Sequence, residues 1–192
     1  MSGENRSDLK SDVLDLGCGR DKLPGAIGMD SNPASDADVL HDLDVFPWPF
    51  ADNTFSRIRA QDVLEHVRDF FRVMEEVHRV SKDGAIVEVR MPFMSSVNYA
   101  TDPSHLRAGT AQTFDYFDPS KDLGRYRYSP VRFDVLEFRY GRGYFGIPGA
   151  VMGVADKLLL PLMHKKHRIY EHYFAYVYPV HEINYRLRVR KS

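Results

Sequence analysis

The sequence predicts an α/β fold of the Rossmann-like kind, and three stretches carry that prediction. The apolar run Val13-Leu14-Asp15-Leu16 enters the turn Gly17-Cys18-Gly19, where glycines let the backbone approach a ligand. A second short strand ends at Gly28-Met29-Asp30 and puts a carboxylate at its tip, where it can accept the ribose hydroxyls of an adenosine-bearing cofactor. Farther on, apolar residues at helical spacing lead through Asp83-Gly84 into an apolar strand at 85–91, the punctuation of a strand–helix–strand unit.

Taken in order, the pattern predicts strands at 12–16, 26–30, 37–40, 57–61, 85–91 and 131–139, and a last one near 181–190, with Pro92 stopping the fifth. Val63, Val67, Phe70, Met74 and Val77 predict a helix between the fourth and fifth strands, with Asp69 as the cap of a second segment after a kink. Only Cys18 to Ala26 separate the first two strands, and only Ser31 to Asp36 the next two. A parallel crossover usually takes a dozen or more residues. The early crossover helices are therefore expected to shrink to loops, leaving part of one sheet face bare. Two covers are open: the apolar segment at 145–163, or a second subunit in a homodimer.

At 192 residues the chain fits one domain. Residues 1–11 read as a loosely attached arm, and 93–130 and 143–170 as insertions on the acceptor side or over the sheet. A hydrophobic content of 43% with 28% charged residues is that of a soluble protein. Cys18, the only cysteine, excludes an internal disulfide and a cysteine-based zinc site, and its place in the glycine turn calls for a small packing residue. The polar N-terminus carries no apolar signal region, which points to the cytoplasm. Residues 1–120 carry 12 basic and 21 acidic side chains, and residues 121–192 carry 14 and 6. Either the basic half faces an anionic partner or substrate, or it lies beside the acidic half within the molecule.

The acid at Asp30 falls eleven positions after Gly19, closer than the roughly 20 residues of dinucleotide enzymes, and Lys22 stands where a third glycine would be. A nicotinamide cofactor is thus a poor match. The chain resembles the class I S-adenosylmethionine-dependent methyltransferases, whose first motif is strand-(Asp/Glu)-x-Gly-x-Gly. The resemblance continues through Asp42-Leu43, Phe46-Pro47-Trp48-Pro49-Phe50-Ala51-Asp52-Asn53-Thr54-Phe55-Ser56, Asp62-Val63-Leu64-Glu65-His66-Val67 and Glu76-Val77-His78-Arg79-Val80-Ser81-Lys82-Asp83-Gly84. It is similar in particular to a bacterial-type branch of small methyltransferases, some of which modify sugars or glycan precursors.

That resemblance implies a three-layer, mostly parallel sheet with an antiparallel strand near the C-terminus, S-adenosylmethionine as cofactor, and a small-molecule or glycan-type acceptor methylated on oxygen or nitrogen. It implies that Asp15, Gly17, Cys18 and Gly19 line the methionine end of the cofactor and that Asp30 binds the ribose diol with Ser31 beside it. Asp42 and Leu43 would contact the adenine, and Gln61 and Asp62 the methionyl portion. His66, expected to begin the helix after the fourth strand, and His105, in Asp102-Pro103-Ser104-His105, are the candidate catalytic bases, since an imidazole titrates near neutral pH. Helix capping or packing stays open for His66, and a structural turn at Asp102-Pro103-Ser104-His105 for His105. No His/Asp/Glu set has metal-ligand spacing, so no metal is expected.

The C-terminal third stays open in three ways. Arg186, Arg188 and Arg190 alternate with Tyr185, Leu187 and Val189, as on a strand with one solvated face. Arg125, Arg127, Arg132, Arg139 and Arg142, interleaved with aromatics, suit a phosphate-bearing substrate; a net charge of −1 argues against nucleic acid. Gly143 to Met163 is broken by Asp156-Lys157 and Pro161 and makes a poor membrane span. It fits core packing, a membrane interface or a lipid-linked acceptor. The rivals to a methyltransferase of small molecules are a non-catalytic scaffold that kept the fold and an RNA methyltransferase.

Overall fold

The structure, a computed structural model, describes residues 11–141 and 150–191, with side chains in the helix at 150–165 described from Lys157 onward. All of the expected arm at 1–11 except Ser11, and the first part of the 143–170 insertion, lie outside the described residues. In chain order the elements are β1 (Val13–Leu16), β2 (Ile27–Asp30), β3 (Val39–Leu40), β4 (Phe55–Gln61), α1 (Phe70–Val80), β5 (Ser81–Pro92), α2 (Val97–Thr101), β6 (Arg132–Gly141), α3 (Ala150–Lys165) and β7 (Glu182–Arg190). The strands form one seven-stranded sheet ordered β3-β2-β1-β4-β5-β7-β6. β1 to β5 pair in parallel and β7 runs antiparallel to both its neighbours, as expected.

Strand alternation divides the sheet into two unlike faces. Leu14, Ile58, Val87 and Leu187 sit side by side across four strands, as do Leu16, Ala60, Val89 and Tyr185, and all are buried. This face takes the whole core. α1 packs on it through Val73, Met74 and Val77. Phe114 and Phe117, from the 93–130 region, pack on it against Tyr185 and Phe133. The helix α1 starts at Phe70, capped by Asp69, whose side chain accepts from the Arg72 N–H. The expected earlier start at Val63 is corrected: residues 63–69 form no helix, with a turn at 64–66, and Val67 is buried from an irregular stretch. Apolar spacing marked burial there, not helix.

The opposite face carries Asp15, Arg57, Arg59, Gln61, Glu88, Arg139, Arg186 and Arg188, with no helix against it among the described residues. Residues 17–26 and 31–38 are turns, so the short crossovers do remove one helical layer, and the expected three layers become two. The face is not apolar, so it needs no greasy cover. Ion pairs tie it together instead: Asp15 with Arg59 at 2.6 Å, Arg57 with Glu88 at 2.6 Å, and Asp134 with Arg188 at 2.7 Å. The described part of the apolar segment does not cover it. The α3 end docks on the core side of β6, where His164 accepts from the Tyr140 N–H at 3.0 Å and stacks on Phe138. The basic C-terminal strand thus finds its acids mostly on its own sheet neighbours, Asp134 above all.

Candidate active site

A crevice of about 310 Å³ opens at the C-terminal ends of β1, β2 and β4, the place where open α/β sheets bind ligands. Its β1 wall is Gly17, in a left-handed conformation (φ +59°), where an added Cβ would lie 2.3 Å from the Val63 side chain. Only glycine fits there, because the turn after β1 must pass against the turn after β4. The Gly17 N–H donates to the Met29 carbonyl at 2.8 Å and fixes the turn to β2.

Asp30 closes β2 at the crevice. One carboxylate oxygen accepts from the Gly19 N–H at 2.8 Å and the other from the Asn32 N–H at 2.7 Å. Each oxygen keeps acceptor capacity for a hydroxyl. Ser31 lines the crevice beside it, and Asp42, Leu43 and Asp44 form the wall beyond β3. Leu43 is held from behind: the Trp48 indole N–H donates to its carbonyl at 3.0 Å, and Trp48 is itself anchored by Glu76, which pairs with Arg79. The Asp44 carboxylate accepts from the backbone of Arg68 and Asp69, tying this wall to the start of α1. Asp62 turns into the crevice through a left-handed backbone (φ +53°) and pairs with Arg90.

The structure therefore brings together Gly17, Asp30, Ser31, Asp42, Leu43, Asp62 and His66, and adds Asp44, Val63 and Val67. Four expected cofactor residues stand elsewhere, and the expected base His105 lies outside the crevice lining. Asp15 points to the ion-paired face, buried, with Arg59 bound to both of its oxygens and the Leu23 N–H donating at 2.8 Å. Arg59 also donates to the Asp21 carbonyl at 2.7 Å, so the pair buckles the glycine turn from outside. Gln61 lies on that same face, because it falls one position after core-facing Ala60. Cys18 is buried beside Gly28, and burial with the neighbouring Asp15 pushes its thiol up to about 11. Gly19 acts through its N–H on Asp30.

His66 sits on the crevice rim in a turn, which corrects its expected place at a helix start. Its ring lies 4.6 Å from that of His105, so residues 39 positions apart meet. The His66 Nδ1 is 2.9 Å from Ser104 Oγ, and that hydroxyl donates to Asp102 at 2.6 Å. Ser104 therefore accepts from His66, which leaves the lone pair on Nε2. Burial, then the neighbouring His105, hold His66 below the ordinary imidazole value. The His105 Nδ1 lies 3.2 Å from the Tyr99 carbonyl, an acceptor only, so its Nε2 also carries a lone pair. Behind both rings Glu65 is fully buried, and burial pushes its carboxyl up to about 8. Arg107 pins this turn by donating to the carbonyls of Leu64, Val67 and Arg68.

Nothing in the residue spacing marked Arg59, Arg107 or Glu65, since each acts on a partner distant in sequence or through burial alone. The crevice fits S-adenosylmethionine by its donor set: paired acceptors at Asp30 suit a vicinal diol, and four carboxylates suit a molecule carrying sulfonium and ammonium charges.

A family model described as a methyltransferase domain matches residues 3–136. Among solved structures, the chain is similar to a SAM dependent methyltransferase from Archaeoglobus fulgidus, with TM-score 0.56 and 14% identity over 92% of this chain and 85% of that one. It is similar to the YcgJ protein from Bacillus subtilis, with TM-score 0.56 and 14% identity over 94% and 92%. It is also similar to phosphoethanolamine N-methyltransferase 2 from Haemonchus contortus in complex with S-adenosyl-L-methionine, with TM-score 0.51 and 13% identity over 94% of this chain and 48% of that one. These likenesses are likenesses of fold. No curated protein matches the chain.

Proposed function

The chain belongs to the methyltransferase-domain family of class I S-adenosylmethionine-dependent enzymes, and from that premise we propose that it methylates a hydroxyl or amine of a small-molecule or glycan-type acceptor beside His66 and His105. The observation that carries this reading is the acid-lined crevice with His66 on its rim and the His105 ring 4.6 Å from it. S-adenosylmethionine supplies an electrophilic methyl group on a sulfonium.

The chain's own work is to hold the cofactor and align an acceptor. Asp30 takes the ribose hydroxyls, with Ser31 beside it. Asp42 keeps one oxygen, the partner of the one engaged by the Asp44 N–H, to accept from the adenine amino group. Leu43 supports the adenine ring, and Asp62 faces the methionyl end. His66, on the rim, is the group in reach of an acceptor's proton, with His105 beside it. The glycan part of this reading rests on sequence resemblance alone.

Titration calorimetry with S-adenosylmethionine and S-adenosylhomocysteine is the test. Binding of both is expected, and no binding of either at millimolar concentration excludes the enzyme. His66→Ala and His105→Ala should keep cofactor affinity and lower turnover. Unchanged turnover in both removes histidine from the chemistry. Binding of cofactor with no turnover on any acceptor favours the scaffold alternative. An RNA acceptor would bring binding that falls steeply with salt and weakens on changing Arg125, Arg127 and Arg132.

A second reading concerns where the acceptor resides. No helix among the described residues is long and apolar enough to cross a membrane. Yet Leu158, Leu162, Ile169, Tyr173, Phe174, Tyr176 and Val177 are exposed, beside an apolar groove of about 380 Å³ and among Lys165, Lys166 and Arg168. Such a surface suits an anionic membrane face or a lipid-linked acceptor. Cosedimentation with phosphatidylglycerol vesicles, lost in Tyr173→Ser/Tyr176→Ser, would support it. Equal recovery with and without vesicles would end it.

A further inference from the structure

Glu65 poses a question that methyl transfer leaves unanswered. It is 0% exposed, and neither carboxylate oxygen has a hydrogen-bond partner among the described residues. A buried carboxylate without partners is costly, and such groups are normally satisfied or bound to something. The two imidazoles beside it are not donors to it. His105 Nε2 lies 3.9 Å from Glu65 Oε1, and the contact of His105 Nδ1 with the Tyr99 carbonyl leaves that Nε2 a bare lone pair. His66, its Nδ1 hydrogen committed to Ser104, likewise offers only a lone pair. With the carboxyl ionised, as a bound cation would hold it, three lone-pair atoms converge, and one ligand atom from each residue lies within 4.8 Å of the others.

We propose that Glu65, His66 and His105 form a site for one divalent transition-metal ion of the zinc class. Two imidazoles and a carboxylate are a zinc donor set, with bonds of about 2.0–2.2 Å, so the three atoms need only draw together around an ion. The outer partners are those a ligand histidine requires. An acceptor on the far ring nitrogen fixes each tautomer: the Tyr99 carbonyl for His105, and Ser104, itself held by Asp102, for His66. Asp102 also comes within 3.9 Å of His105 Nε2 from the solvent side. Three protein ligands leave a fourth position, and His66 faces the crevice. That position suits an acceptor oxygen or nitrogen, whose proton an adjacent cation makes easier to lose. This deepens the reading of the histidines as the acceptor-side pair and rests on it for its catalytic meaning. In the ion-loaded protein the imidazoles hold the cation in place of receiving a proton, and the acceptor's proton passes to solvent water at the crevice mouth. The ligands come from loops 39 residues apart, which is why their spacing in the sequence gave no metal signature.

The test is direct binding to the full chain stripped with EDTA, titrated with cobalt(II) and then with zinc. One equivalent of cobalt with visible d–d absorption, displaced by zinc, is expected. Glu65→Gln and His105→Asn should each weaken binding by at least about tenfold, the lower end of what even outer-shell changes cost. His172→Ala, an exposed histidine outside the site, should leave it unchanged. If Glu65→Gln does not fold, Asp102→Asn at the surface should still weaken binding about 10–100-fold. Absence of bound cobalt in the native chain overturns the site, as does equal affinity in a His66→Ala/His105→Asn double variant. S-adenosylmethionine titrated into the stripped protein in parallel separates the two claims. Cofactor binding without metal binding overturns the metal site alone, whereas metal binding without cofactor binding supports it and counts against the cofactor reading.

Discussion

Along β4, neighbouring residues face opposite environments. Phe55, Ile58 and Ala60 are buried to 0% exposure, while Arg57 and Arg59 between them point to a face held by ion pairs. The same division runs across the sheet, from Asp15 on β1 to Arg188 and Asp134 on β7 and β6. The comparison teaches that one face suffices for the core. When the early crossovers are too short for helices, the second face survives by becoming polar, because a strand buried on one side needs only alternation. It also separates two kinds of acid. Asp30 stays beside the crevice with spare acceptor capacity, while Asp15, equally close to the glycine turn, is consumed by Arg59.

Mutations should break the two faces unequally. Ile58→Ala, on the core face, is expected to lower stability by about 4 kcal/mol, within the range for large-to-small changes at buried sites. Urea unfolding checks it, and a loss below about 1 kcal/mol would mean the core lies elsewhere. Asp15→Ala should cost about 3 kcal/mol, since it strands the largely buried Arg59 and frees the Leu23 N–H. A small effect there would show that the pair is as solvated as its outer neighbours. Arg57→Ala, whose pair with Glu88 is open to solvent, should change stability by less than about 1 kcal/mol and less still in high salt. At the bottom of the scale, Cys18 should resist alkylation in the native protein at pH 8, because its thiol is buried and pushed up to about 11. Fast modification at the native rate would place that turn in an open state.

Much of this was legible in the sequence. All seven strands appear in the expected order, the cap at Asp69 holds, and the short crossovers foretold the bare face, but β3 keeps only Val39–Leu40 and β5 starts at Ser81, running through the expected turn at Asp83-Gly84. Arg186, Arg188 and Arg190 even announced its character, since their partners in alternation, Tyr185, Leu187 and Val189, are buried. What failed were questions of pairing. Asp15 and Gln61 were assigned by motif position, but their side-chain direction is set by register with β4 and by the side of the sheet they fall on. The Glu65–His66–His105 cluster depends on a loop after β5 returning to the turn after β4, where the Leu106 N–H donates to the Glu65 carbonyl at 2.8 Å. No local pattern encodes that meeting. The false early helix at Val63 arose because turn residues buried by tertiary packing mimic helical spacing.

The central claim is that the crevice at the tips of β1, β2 and β4 binds S-adenosylmethionine through the Asp30 carboxylate. Calorimetric titration of the native chain and of Asp30→Ala tests it most directly. Saturable binding is expected, weakened in the variant by about 1.5–3 kcal/mol, the worth of hydrogen bonds to a charged group. Equal affinity in the two proteins, or none in either, would contradict it.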